Sequence, residues 1–160
     1  PGLTANFDAA KSAALAMTLL DWKVHGRDYG AAMKATAKSL AEALGKAGLP
    51  IHLAAKGGTT SHQLAVEAHR WGGGQAASKK LRPANILACG IGLPMAGIDG
   101  DVNGLRLGVP EIVRLGMGPE HMATLAGFIA RALIGNDKPE AIAADVTAFR
   151  RGFKSFKYVR

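Results

Sequence analysis

Arg106 carries the clearest chemical signal in the sequence. It alternates with leucines in Gly104-Leu105-Arg106-Leu107-Gly108, a strand pattern with a glycine two positions away on each side. A guanidinium is permanently charged, and its planar fork of donors matches a carboxylate through two parallel hydrogen bonds. At the end of a buried strand it must be paired, because an isolated buried charge is costly. A protein carboxylate, the commoner case, or the carboxylate of a ligand would meet that need, and the pattern alone leaves both open. The run continues Val109-Pro110-Glu111-Ile112-Val113-Arg114-Leu115-Gly116, in which Arg114 is expected to cap or pair within the domain.

Other reactive side chains are scattered. Histidines 25, 52, 62, 69 and 121 form no His-x-x-x-His pair and Cys89 has no cysteine partner, so no metal site is expected. Ser61 and His62 are adjacent, and adjacent side chains on a strand point to opposite faces, which is poor geometry for a dyad. His62 therefore reads as a buried, satisfied histidine. Asp99 and Asp101 lie in the glycine-rich loop 96–104, where aspartate commonly makes turns. Gly72-Gly73-Gly74 could offer amides to an anion. It lacks the lysine of a P-loop and the spacing of a dinucleotide fingerprint, so a plain strand-to-helix turn is the simpler reading. No complete catalytic set lies in this chain.

The elements that must position these groups follow from periodicity. Residues 7–22 carry Ala10, Ala13, Ala14, Met17 and Leu20 at helical spacing, and His25-Gly26-Arg27-Asp28 interrupts the pattern. Tyr29, Met33, Ala37, Leu40, Leu44 and Ala47 predict a second helix, ended by Gly48 and Pro50. Short apolar runs at 51–55, 64–68, 86–89 and 105–109, bounded by glycines, predict strands. A short helix is expected at 75–81. Pro119 opens a helix carrying Met122, Leu125, Ala126, Ile129 and Leu133, stopped by Gly135-Asn136. Asp137 and Glu140 have capping-box spacing before a last stripe of Ile142, Val146, Phe149, Phe153 and Phe156. The order implies an α+β fold, a small sheet with helices packed mainly on one face.

Composition bounds the rest. A length of 160 residues, 48% apolar and 20% charged, suits one domain over 1–160 and excludes a disordered chain. No apolar run reaches the ~20 residues of a membrane span, and Pro1-Gly2-Leu3-Thr4 is no signal peptide. The start without methionine is what a piece of a longer chain would show. A single cysteine excludes an internal disulfide and fits the cytoplasm. The net charge is +8, with Arg150, Arg151, Lys154, Lys157 and Arg160 among the last twelve residues. Interleaved phenylalanines make these the solvated face of an amphipathic helix rather than a nucleic-acid surface.

The stretch 104–116 resembles the Gly-x-Arg-x-Gly-x-Pro-x-Ile-x-Arg-x-Gly signature of the serine hydroxymethyltransferase family, fold-type I enzymes that use pyridoxal phosphate (PLP). Gly57-Gly58-Thr59-Thr60-Ser61-His62 resembles the family's Gly-Gly-Thr-Asp-Asn-His turn. Ala84-Asn85-Ile86 with Pro94 matches the strand and loop before the arginine motif, and Pro1-Gly2 the opening of the family's glycine-rich loop. The similarity covers the whole chain but only about the last third of a family member. It implies that Arg106 holds the carboxylate of an amino-acid substrate, with His62 and Thr59 structural. It also implies cleavage or formation of the Cα–Cβ bond of serine or 2-methylserine in a homodimer or tetramer. The PLP-bearing lysine would lie in a missing N-terminal part, leaving no catalytic residue in this chain.

Two departures bear on that reading. The family loop continues Pro-Gly-Gly-Gln-Gly-Gly, whose amides help hold the cofactor phosphate of the neighbouring subunit; here Thr4 and Asn6 are the side chains that could donate instead. The family's Asn-Lys-Asn stretch, whose last asparagine contacts folate, is replaced by Cys89-Gly90-Ile91, and an alkyl group cannot hydrogen-bond a pterin. The resemblance thus leaves open a transferase passing formaldehyde to tetrahydrofolate and a folate-independent aldolase releasing it. A stand-alone binding domain without catalysis is the alternative of another class.

Overall fold

The Asp8 side chain accepts hydrogen bonds from the amides of Ala10 (2.9 Å) and Lys11 (3.3 Å), satisfying donors that a helix start leaves free. From this cap α1 (Ala9–Lys46) runs unbroken in a computed structural model of the chain, which describes residues 8–160. Two helices parted at 25–28 were expected. Gly26 costs helix propensity, about 1 kcal/mol, without ending the helix, because no proline follows and the backbone stays helical. Its missing Cβ is used: a methyl there would sit 2.7 Å from the Trp22 ring.

The two halves of α1 have different surroundings. From Tyr29 onward, Met33, Ala37, Leu40 and Leu44 are buried at the expected spacing. Before it, Leu15, Met17, Leu19, Leu20, Trp22 and Val24 are between 42% and 60% exposed. Leu15, Leu19 and Trp22 share one face of the helix and Met17, Leu20 and Val24 the opposite one, so apolar side chains are exposed on both sides of this stretch.

The sheet is antiparallel with order β1-β3-β2: β1 (Gln63–Glu67), β2 (Cys89–Ile91) and β3 (Gly104–Gly108). Strand alternation turns Leu64, Val66, Leu105 and Leu107 into the core and Arg106 to the other face. α1 packs on β1, and α2 (Gly74–Leu81) on β2 and β3, so the helices cover one face. Two expected strands change. Ile51 makes only an isolated bridge to Val66, because Leu53 takes a left-handed conformation (φ 56°) and turns the chain into a 3₁₀ segment, Ala54–Lys56. Asn85, also left-handed (φ 61°), holds 86–88 out of the sheet, so β2 starts at Cys89.

The amides of Gly72, Gly73 and Gly74 go to the carbonyls of His69, Ala68 and Val102, so this run is the plain strand-to-helix turn expected, and a carboxylate meets the next two amides. Asp101 accepts from the amides of Gln75 (3.0 Å) and Ala76 (2.9 Å) at the start of α2. Gly73 has φ 132°, and a Cβ there would lie 2.3 Å from that carboxylate, so glycine is required. Partial burial opposes ionisation of Asp101, but hydrogen bonds from Ala76, Gln75 and Val102, with Lys79 nearby, outweigh it and hold the carboxyl below its usual range. Buried Asn103 secures a second turn. It accepts from Leu93 N and donates to the carbonyls of Leu93, Met95 and Ala96, which fixes the loop before β3.

The remaining helices are α3 (Pro110–Arg114), α4 (Met122–Ile134) and α5 (Pro139–Arg150). α4 starts after a 3₁₀ turn at Pro119 and stacks Met122, Ala126, Ile129 and Leu133 on α1. Lys138, and not Asp137, occupies the N-cap of α5; Asp137 and Asp145 pair with Arg131 instead. The last stripe is not one helix face. α5 stops at Arg150, Phe153 folds back against Phe149 and His121, and Phe156 is 67% exposed. The basic tail runs back to the body, where Lys157 N donates to Arg114 O and Arg160 meets Asp21. Among the described residues no helix is long and apolar enough to cross a membrane.

Candidate active-site face

Register decides what surrounds Arg106. On β3 it pairs laterally with Ala65 of β1 and Cys89 of β2, and residues directly opposite in antiparallel strands point to the same face. Gly104 and Gly108, its neighbours along that face, bring no side chains. Arg106 thus sits at mid-strand on the uncovered face and is exposed, where a buried strand end had been expected. The cause is the helical layer, which lies wholly on the leucine side.

The guanidinium borders an open depression of about 410 Å³. His62, Gln63 and Cys89 supply its polar lining, and Leu87, Ala88 and Pro110 an apolar wall. Arg106 Nε donates to Cys89 Sγ at 3.2 Å. Among the described residues Arg106 forms no ion pair with a carboxylate. The fork edge of Nη1 and Nη2 is therefore left for a carboxylate from outside.

The turn expected to be structural is so. Thr59 and Ser61 hydroxyls both donate to Gln63 O, and Ser61 N donates to Thr59 Oγ1 at 3.0 Å. The Ser61 hydroxyl is thereby engaged with Gln63 and makes no hydrogen bond to His62. His62 differs from its expected buried state: it is exposed at the rim of the Arg106 depression, its carbonyl accepting from Val109 N. Gln63 and Leu87 were missed as lining residues. The period-2 pattern places Gln63 with Ala65 on the Arg106 face, but only the strand pairing reveals that row. Arg114 pairs within the domain as expected, with Asp21 at 3.2 Å. Thr4 and Asn6 lie outside the described residues. Ile91, two residues beyond Cys89 on β2, shares the Arg106 face by alternation.

The helices and small antiparallel three-stranded sheet match a fold-type I PLP enzyme, and the sequence aligns with the C-terminal regions of alpha-methylserine aldolases and serine hydroxymethyltransferases. It is 59% identical over 160 residues to an alpha-methylserine aldolase of Ralstonia sp, covering 100% of this chain and 36% of that protein. A second alpha-methylserine aldolase, from Variovorax paradoxus, is 61% identical over 159 residues, covering 99% and 36%. A serine hydroxymethyltransferase of Pyrobaculum neutrophilum is 38% identical over 158 residues, with the same coverages. The crystal structure of L-threonine transaldolase from Pseudomonas fluorescens superposes with TM-score 0.76 at 28% identity, covering 89% of this chain and 32% of that one. No family model matches the chain. The chain thus spans about a third of the length of the relatives it matches.

The donor set can be tested against PLP. No lysine or carboxylate lines the Arg106 depression, so the described residues supply neither an attachment amine nor a partner for the pyridine nitrogen. They do fit a substrate carboxylate: a lone guanidinium, three further polar side chains and an apolar wall.

Proposed function

We propose that residues 1–160 are the C-terminal domain, with its leading helix, of a PLP-dependent enzyme that cleaves or forms the Cα–Cβ bond of 2-methylserine or serine. The observation that carries this reading is Arg106, held on the bare sheet face of a chain about 60% identical to alpha-methylserine aldolases and free of any carboxylate partner among the described residues. PLP, held by the rest of the enzyme, supplies the electron sink for breaking the bond. Arg106 binds the substrate carboxylate and so fixes the rotation of the substrate about Cα. Orientation of this kind selects which bond is aligned for cleavage. Leu87, 83% exposed, and the apolar outer half of α1 are surfaces that the rest of the enzyme or a second subunit would cover. That supports a homodimer or tetramer, and the single cysteine supports a cytoplasmic enzyme of amino-acid and one-carbon metabolism.

Identity favours the aldolase reading, with release of formaldehyde, over a transferase; the 38% identity to serine hydroxymethyltransferases keeps the tetrahydrofolate-dependent reaction as the second reading. The test is Arg106→Ala in the complete enzyme. Loss of a charge-assisted pair lowers kcat/KM about 10- to 100-fold while PLP content stays normal. Lysine at this position restores little, since a point charge does not reproduce the fork. An Arg106→Ala enzyme that unfolds while its remaining folded fraction binds substrate normally would make the arginine structural.

A further inference from the structure

We infer that Cys89 is a positioning residue that sets how Arg106 presents its fork, and thereby the pose of the substrate carboxylate. The inference rests on the carboxylate role proposed for Arg106. Each neighbour of Arg106 in the sheet has been reduced to something that cannot orient it, except one. Gly104 and Gly108 lie before and after it on its own face, and Ala65 lies opposite on β1. On β2 the opposite residue is Cys89, whose Sγ accepts from Nε at 3.2 Å.

A guanidinium can grip a carboxylate along its side, through Nε and one Nη, or end-on, through both Nη atoms. Engaging Nε removes the side-on mode and leaves the end-on edge. The choice of acceptor matters too. A carboxylate at position 89 would compete with the substrate for the same charge, whereas a thiol is a weak acceptor that directs the ring of donors without neutralising it. Cys89 is half-buried beside the depression that Arg106 borders, so its sulfur and the incoming carboxylate address opposite edges of one planar group.

The experiment compares Cys89→Ala, Cys89→Ser and Cys89→Asp with Arg106→Ala in the complete enzyme, using 2-methylserine, with melting temperature and PLP content read for each. Cys89→Ala is expected to raise KM about 3- to 10-fold with kcat within about twofold, the size of one hydrogen bond to a weak acceptor. Cys89→Ser keeps an acceptor and should stay close to the parent enzyme. Cys89→Asp should fall with Arg106→Ala, because its own carboxylate occupies the fork. If Cys89→Ala does not fold, Cys89→Val, which keeps the bulk and drops the acceptor, should show the same rise in KM. Unchanged KM in the folded acceptor-free variant and in Cys89→Asp, with Arg106→Ala impaired, overturns the positioning role and leaves the carboxylate site standing. An unimpaired Arg106→Ala overturns both.

Discussion

Arg114 and Asp21 are 93 positions apart in the chain, yet Arg114 Nη2 donates to Asp21 Oδ2 at 3.2 Å. The same carboxylate accepts from Arg160 N at 3.2 Å, and Arg160 Nε lies 3.6 Å away. Beside it Tyr29 stacks on Tyr158 with ring centroids 5.0 Å apart, and the Tyr29 hydroxyl donates to Pro110 O. One acid on α1 therefore ties down α3 and the C-terminal tail together.

Asp21→Ala should release both. The side chain is only 17% exposed, so the pair lies between a surface bridge and a buried one, and about 1–2 kcal/mol of stability is expected to go. Urea unfolding reads the loss. Asp21→Asn, whose single amide oxygen can accept from Arg114 or from Arg160 N but not from both in the present geometry, should recover only part of it.

Asp101 gives the chain an acid-sensitive joint. Its carboxyl is held below its usual range in the folded state by the amides at the start of α2, so it releases its proton more readily folded than unfolded. The stability it contributes is present above its unfolded pKa and is lost as pH falls through the lowered folded value. Asp101→Asn should lower the melting temperature at neutral pH and flatten its decline in acid. A variant whose melting falls with acid as steeply as the parent's would show that other carboxylates govern that limb.

Two glycine substitutions should move stability in opposite directions. A Cβ on Gly74 would lie 1.8 Å from Gly104 O, where helix α2 crosses the backbone of β3. Gly74→Ala must push helix and strand apart and should cost about 2–4 kcal/mol. Gly127, inside α4, has ordinary helical backbone, and a methyl added there would meet nothing within 4 Å. Gly127→Ala should stabilise by about 0.5–1 kcal/mol through helix propensity. Paired urea titrations settle both.

Folate dependence turns on Ile91, which shares the Arg106 face. A pterin laid there would leave polar atoms against an alkyl side chain, a penalty of about 1–3 kcal/mol for each unmatched group. In the complete enzyme, formaldehyde release from 2-methylserine should proceed at a rate indifferent to added tetrahydrofolate. A saturable acceleration by tetrahydrofolate would instead establish the transferase reaction.

Legibility of the sequence followed the range of the interaction. Leu105-Arg106-Leu107 between glycines was readable as a strand with a solitary cation because alternation is local, and the buried stripe of Tyr29, Met33, Ala37, Leu40 and Leu44 was readable for the same reason. The continuity of α1 was not, since Gly26 weakens helix propensity without supplying a stop signal. Nor was the exposure of His62 and Arg106, which follows from all the helices settling on the leucine side. Asp101 looked like a turn former, and its service to α2 appears only once residues 26 apart are brought together. Phe153 and Phe156 kept helical spacing after the helix had ended, a coincidence of period that the fold does not use.

The length of α1 gives it a mechanical role. At 1.5 Å per residue its 38 residues span about 57 Å, of which roughly the outer 30 Å project beyond the packed half. A rod gripped at one end magnifies small rotations: a tilt of about 5° displaces the far tip by about 2–3 Å over that length. Asp21, with Arg114 and Arg160, grips the rod partway along and shortens its free arm. A subunit seated against Leu15 and Leu19 would act on the sheet that carries Arg106 through leverage rather than contact.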